Sequence, residues 1–351
     1  MNKRRSSLRL ATLLAAVLAV LTATVGTAGP GIPVSSCGTT LSAPGNYQLT
    51  GNLACAAGNG VNITGSGVHL DLSGFTIDGG GDPLAVPANT SRCLDASVGV
   101  NVGPNVSNVH INGGTVRGFT FGIQLNTTDR SRVNGMTSAR NCAWGVQLND
   151  SDNNALATNI VVENGSTLIL PGGFFCGGVG NVCGGVSIQG VSTPAGTQGS
   201  SGNDVTSQDL RRNAQFGALI DAASTGNTVR SSDASQTGVL YGFSLVVGIE
   251  DGGVNNTIRG NTSNGNNGSG IAVGGATGVV QSNTANGNLG QDTFGAGILI
   301  FTSGSGYLIQ SNTALNNAGT DLWDLNTSPP CDSNTWKSNN AVTKSPASCV
   351  K

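Results

Sequence analysis

The sequence predicts an all-β solenoid, in which short strands wind into stacked turns and form parallel sheets around one continuous core. Three recurring phrases predict it. The first is Gly–apolar–any–apolar, found at Gly60-Val-Asn-Ile63, Gly99-Val-Asn-Val102, Gly122-Ile-Gln-Leu125, Gly145-Val-Gln-Leu148 and Gly185-Val-Ser-Ile188, and again from Gly217, Gly242, Gly270 and Gly297. The second follows roughly a dozen residues later: a polar residue, a short apolar run, then Asn, as in Asn256-Thr-Ile-Arg-Gly-Asn261, Gly278 to Asn283, Gly306 to Asn312 and Asn334 to Asn339. The third is a piece that ends in Asn, at Asn141, Asn164, Asn213, Asn266, Asn288 and Asn317. Each turn therefore carries two or three short strands that alternate in and out, and no helical period appears beyond the first residues. One turn cannot bury its apolar side alone, so turns must stack. The Asn at each corner is expected to adopt the left-handed backbone of a sharp bend and to hydrogen-bond with its copies along the stack.

From the start of the chain, Lys3, Arg4, Arg5 and Arg9 precede an apolar stretch and the small residues Gly26 to Ala28, which predicts a signal peptide over 1–28. The solenoid domain is expected over 29–351, with an N-terminal cap over 37–58 and a C-terminal cap over 320–351 that blocks the open strand edges. Two stretches interrupt the period, 79–98 and 165–184, and are expected as inserted loops along one side of the first sheet.

The quoted phrases resemble the right-handed parallel β-helix repeats of the pectate-lyase-like superfamily, including NosD-like proteins. The opening from Cys37 to Leu53 and from Gly67 to Gly81 resembles the start of bacterial secreted proteins of this kind. The resemblance covers about residues 37 to 349. It implies a single-stranded right-handed parallel β-helix of about ten turns. It leaves activity open, because the superfamily includes lyases, hydrolases, epimerases, metal-delivery proteins, adhesins and proteins without activity.

Composition narrows the function classes. Glycine supplies 55 of 351 residues, and only 10% are charged, which fits tight stacking and not disorder. Without the leader's four basic residues, 12 bases face 18 acids, a net charge of −6. That balance offers no footprint for nucleic acid or anionic lipid. The apolar stretch of the leader is short for a membrane span, so no span is expected once it is removed. Eight cysteines in a secreted context read as structural disulfides. Spacing suggests Cys37–Cys55, Cys176–Cys183 and Cys331–Cys349, with Cys93–Cys142 remaining.

Chemistry on such a scaffold is expected on the outer side of one sheet. The middle residues of the Gly phrases read Asn62, Asn101, Gln124, Gln147, Ser187, Leu219, Ser244, Ala272 and Leu299, a row without a titratable group. General acid–base catalysis needs one. The next outward position reads Asn126, Asn149, Gln189 and Asp221, and the corner beyond carries Asp129, Asp150, Asp152, Glu250 and Asp251. Amides can bind sugar hydroxyls, so Gln124, Asn126, Gln147, Asn149 and Gln189 are candidate substrate contacts, with Phe174 and Phe175 of the second insertion as stacking partners. Asp150, Asp152 and Asp221 are the candidate catalytic acids. Asp129, Asp150, Asp152, Glu250 and Asp251 could hold Ca²⁺, or could simply cap their own turns. Phe121, Trp144, Phe216 and Tyr241 precede Gly phrases and are expected as an internal aromatic stack. Arg230, Arg259 and Lys337, interleaved with Gln281 and Gln310, form a basic stripe. His69 and His110 point outward in their strands.

The first functional expectation is a secreted, monomeric β-helix without catalytic activity that binds or organises an extracellular polysaccharide or a surface partner. The alternative is a polysaccharide lyase, epimerase or hydrolase. Copper delivery fares worst, with two Met and two His in the chain.

Overall fold

The computed structural model describes residues 31–351 except 86–88, 90–92, 94, 167–181, 194–195, 241–245, 291–294 and 327–332. The leader over 1–28, Phe174, Phe175, Cys176, Tyr241, Ser244 and Cys331 lie outside the described residues. Among those described there is no α-helix, and the named elements are all strands. The first sheet stacks twelve strands, from Thr39–Leu41 to Lys344–Ser345, and holds the Gly phrases. The second sheet has fifteen strands and runs from Ile32–Val34 to Thr335–Lys337, with the second phrase on it. Successive rungs pair in parallel. One hairpin, Val191–Thr193 against Gly196–Gln198, is antiparallel. The chain is thus a parallel β-helix, with the terminal strands continuing both sheets beyond the repeats that are plain in the sequence.

One apolar cluster fills the rod from Val34 to Val350, with a single inward residue stacked on its copy in the next rung, as in Ile123, Val146, Val186, Ala218 and Ile249. At the corners, buried asparagines form ladders. Asn261, Asn283, Asn312 and Asn339 make one: each Oδ1 accepts the backbone N–H of the Asn before it at 2.9–3.0 Å, and each Nδ2 donates to the Oδ1 of the next at 3.0–3.1 Å. Asn154, Asn203, Asn227 and Asn256 make another. Asn266, Asn288 and Asn317 make a third, which ends on Asp321.

The left-handed backbone expected of these asparagines belongs to the residue before each one. Ser282, Ser311 and Ser338 have φ of 55°, 55° and 51°, and Gly260 has 63°. That turn aims the following Asn side chain inward, where it replaces the water that the corner's backbone groups have lost.

The ladders also explain the glycine of each Gly phrase. A Cβ on Gly122, Gly145, Gly185, Gly248, Gly270 or Gly297 would stand 2.6–2.8 Å from the Nδ2 of Asn141, Asn164, Asn213, Asn266, Asn288 or Asn317 respectively. Glycine and the apolar residue after it therefore both face inward, and the residue before the glycine is turned out. This corrects the expected internal aromatic stack. Phe121, Trp144 and Phe216 share a second apolar cluster with the outward residues Leu219, Ala272 and Leu299, separate from the rod's core. The Trp144 and Phe216 rings stack with centroids 6.3 Å apart.

Disulfides join Cys37 to Cys55 and Cys93 to Cys142. Cys183 and Cys349 are also disulfide-bonded.

Two substitutions test this account. Asn283→Ala removes the acceptor of the Asn261 N–H and the donor to the Ile258 carbonyl, both buried. Unfolding in urea should show a loss on the order of 3 kcal/mol. Gly145→Ala sets a methyl group against Asn164 Nδ2 and should cost about 1–3 kcal/mol. Wild-type stability for either variant would count against the ladder as the organising contact.

Candidate functional site

The register of the first sheet fixes which side chains share its outer face. One outward row runs Asn62, Asn101, Gln124, Gln147, Ser187, Leu219, Glu250, Ala272, Leu299, Trp323. The strand after Leu219 is Val247–Asp251, so its Gly phrase starts at Gly248 and not at Gly242. The expected Ser244 lies outside the described residues, and Glu250 takes the place given to it. The row therefore contains a carboxyl group, contrary to the sequence reading.

Beside it, Asn126, Asn149 and Gln189 pair in register as a second outward row. The two rows are tied together by their amides. Gln124 Nε2 donates to Gln147 Oε1 at 2.7 Å, and Gln147 Nε2 donates to Gln189 Oε1 at 3.1 Å. Asn149 donates to Asn126 at 2.9 Å, and Asn126 donates to Asn101 and to Gln124 at 3.1 and 3.2 Å. All five candidate amides thus belong to one network, and Gln147 is its buried member. Asn149 Oδ1 and Gln189 Nε2, at its edge, have no hydrogen bond among the described residues.

The corner acids separate into three kinds. Asp129 Oδ1 accepts from the Asp152 N–H, and Asp152 Oδ1 accepts from the Ser201 N–H and hydroxyl at 2.7 and 2.8 Å. Each therefore caps the next rung. Asp221 accepts from the Gly190 N–H at 2.7 Å, the Ala223 N–H at 3.1 Å and the Ser224 hydroxyl at 2.7 Å. Asp150 has no such tie; burial, then the nearby Asp152 and Asp129, push its carboxyl above the ordinary range.

Glu250 and Asp251 do not belong to that corner. They lie on opposite faces of one strand. Asp251 fills an apolar slot between Ile220 and Val273 and is fully buried. It accepts from Asn256 Nδ2 at 2.8 Å, the Gly253 N–H at 3.0 Å and the Tyr307 hydroxyl at 3.1 Å. Glu250 has no hydrogen bond or ion pair among the described residues. Burial beside Leu219 and Ala272, and then the charge of Asp251, push its carboxyl up to about 7. A carboxyl so placed can hold or give a proton near neutrality.

Among the described residues no three His, Cys, Asp or Glu side chains converge. Asp129 Oδ1 and Asp152 Oδ1 accept from rung N–H groups, and Asp251 faces the core.

On the second sheet, His69 and His110 pair in register and stack with centroids 4.3 Å apart. Burial, His69 and Arg132 together lower the His110 pKa. Arg230, Arg259, Gln281, Gln310 and Lys337 do form one outward row, in which the two glutamines are half-buried and Arg230 pairs with Asp204 at 2.7 Å.

No protein-family model and no curated protein matches the sequence. Among solved structures, the Dettilon tailspike protein is similar with a TM-score of 0.59 and 16% identity over 90% of this chain. This chain covers 58% of that one. The A-module of the mannuronan C-5 epimerase AlgE6 from Azotobacter vinelandii has a TM-score of 0.58 and 12% identity, over 89% of both chains. DFA-IIIase from Arthrobacter chlorophenolicus A6, without its lid, has a TM-score of 0.54 and 14% identity over 84% of this chain and 71% of that one. The likeness is one of fold, the parallel β-helix.

The state of Glu250 can be read from stability. Its folded pKa of about 7 exceeds the ordinary 4.5, so between those values the folded chain holds the proton more tightly than the unfolded one. Stability must fall as pH rises through that window. Glu250→Gln should raise the melting temperature at pH 8 and leave it unchanged at pH 4. Equal shifts at both pH values would show that Glu250 titrates as an ordinary surface acid.

Proposed function

We propose that the protein is a secreted, monomeric β-helix that binds an extracellular polysaccharide along the outer face of its first sheet. The observation that carries this reading is the amide network of Gln124, Asn126, Gln147, Asn149 and Gln189. Its members fix one another's orientation across successive rungs and leave Asn149 Oδ1 and Gln189 Nε2 at its edge. A set of neutral donors and acceptors repeating every ~4.8 Å suits a chain of hydroxyl-bearing units. The oriented amides lose little freedom on binding.

Similar folds serve carbohydrate chemistry. One neighbour is an epimerase of mannuronan, and DFA-IIIase has been crystallised with GF2. Disulfides support an oxidising compartment, as does the basic and apolar leader over 1–28. No helix among the described residues is long and apolar enough to cross a membrane.

Affinity electrophoresis against a panel of neutral and uronate polysaccharides tests the proposal. At least one should retard the protein, and the double substitution Asn149→Ala, Gln189→Ala should weaken that binding about tenfold or more at a temperature where circular dichroism shows the variant folded. Absence of retardation by every polymer would refute the reading.

A further inference from the structure

The chain has two histidines, and the fold sets them side by side. They are far apart in sequence, yet His69 on the strand Val68–Asp71 pairs with His110 on the strand His110–Arg117 of the next rung. In the whole chain only Asn46 and His110 are register neighbours of His69. Each histidine precedes a buried residue, Leu70 or Ile111, and so points away from the core. His69 is exposed and His110 is half-buried. Their rings stack with centroids 4.3 Å apart and planes 17° from parallel. Neither ring makes a hydrogen bond among the described residues.

This geometry is close to what a metal ion asks of two imidazoles. Tetrahedral zinc holds ring nitrogens at about 2.0–2.1 Å, which sets two of them about 3.3 Å apart. The stacked rings need to approach by about 1 Å at one edge to meet that spacing. Rotation about the Cβ–Cγ bonds supplies the movement, and the exposed side of the pair leaves room for it. Neutral imidazole is the ligand form. Burial, then His69 and Arg132, lower the His110 pKa and keep that ring neutral near pH 7. The surrounding charges are mixed. Arg132 follows on the next rung and is exposed, so water screens its repulsion. Asp71 lies two residues after His69 on the same face and brings the opposite charge. Its Oδ1 accepts from the Ser73 N–H at 2.7 Å, and it does not converge with the histidines as a third ligand.

We propose that His69 and His110 together bind one divalent transition ion of the kind that prefers imidazole, such as Zn²⁺. With two ligands from the protein, the remaining positions fall to water, so the site is open. Ca²⁺ and Mg²⁺ take oxygen ligands and find no set of carboxylates at this place. The pair stands on the second sheet, whereas the amide network stands on the first. The proposal is therefore independent of the polysaccharide reading, and either can fail without the other.

Isothermal titration calorimetry of the mature, tag-free chain with Zn²⁺ at about pH 7.5 tests it. One ion per chain should bind with a Kd below about 1 mM. His69→Ala and His110→Ala should each weaken that binding at least about tenfold. Two histidines give two sets of imidazole C–H signals in NMR, and both sets should move as Zn²⁺ is added. Acidification to about pH 5 should release the ion, because protons compete for the ring nitrogens. If a variant unfolds by circular dichroism, the NMR signals of the wild-type chain decide. No Zn²⁺ binding up to about 1 mM overturns the inference. So does full binding by either single variant, movement of one histidine alone, or binding of Ca²⁺ that displaces Zn²⁺.

Discussion

The hydrogen bond between one buried asparagine and the next holds the other features in place. A β-helix must turn its chain sharply several times per rung, and every turn leaves backbone N–H and C=O groups facing a dry interior. The asparagine amide supplies both an acceptor and a donor there. Asn283 accepts from Asn261 and donates to Asn312 and to the Ile258 carbonyl, so one side chain serves three rungs. The cost is room. The strand that passes the ladder must lack a Cβ at that point, which is why Gly145 faces Asn164 and Gly248 faces Asn266. Once glycine is fixed, so is the phase of the strand, and with it the identity of every outward side chain. The composition of the outer face follows from the packing of the inner corner.

This dependence also explains which features the sequence displays. Glycine and asparagine recur because each is required by the other, and their spacing alone marks the sheets, the inward apolar residues and the amide row from Gln124 to Gln189. Strict alternation through the glycine would set Phe121, Trp144 and Phe216 inward. Two successive inward positions, Gly122 and Ile123, reverse it for Phe121. The rung at Glu250 was harder still. Its fourth position is Asp251 where the other Gly phrases have Ile, Leu or Val, so the phrase does not read as a repeat; the last rung, which lacks the glycine, likewise has Asp324 there. Gly242-Phe-Ser-Leu245, six residues earlier, satisfies the apolar pattern and takes its place by composition alone. Only the pairing of Leu219 with Glu250 separates them. The Gly phrase places Ser187 in the outward row, but its missing partner is a property of the folded face that no local pattern carries.

The rung that departs from the repeat is the one that carries unusual electrostatics on both faces. Asp251 in the core would be costly alone, and it persists because Asn256, the Gly253 N–H and the Tyr307 hydroxyl surround it. Tyr307 comes from two rungs further along, so distant parts of the chain are recruited to satisfy one acid. A Val or Ile in that slot would pack as its neighbours do and need none of this. The acid has an effect beyond its own face, since its charge adds to the burial that keeps Glu250 protonated. Local sequence rules tend to be broken where a site imposes other demands. Here the inward breach supports the outward proton: an acid closed into a core network stands behind a carboxyl that has no partner of its own among the described residues.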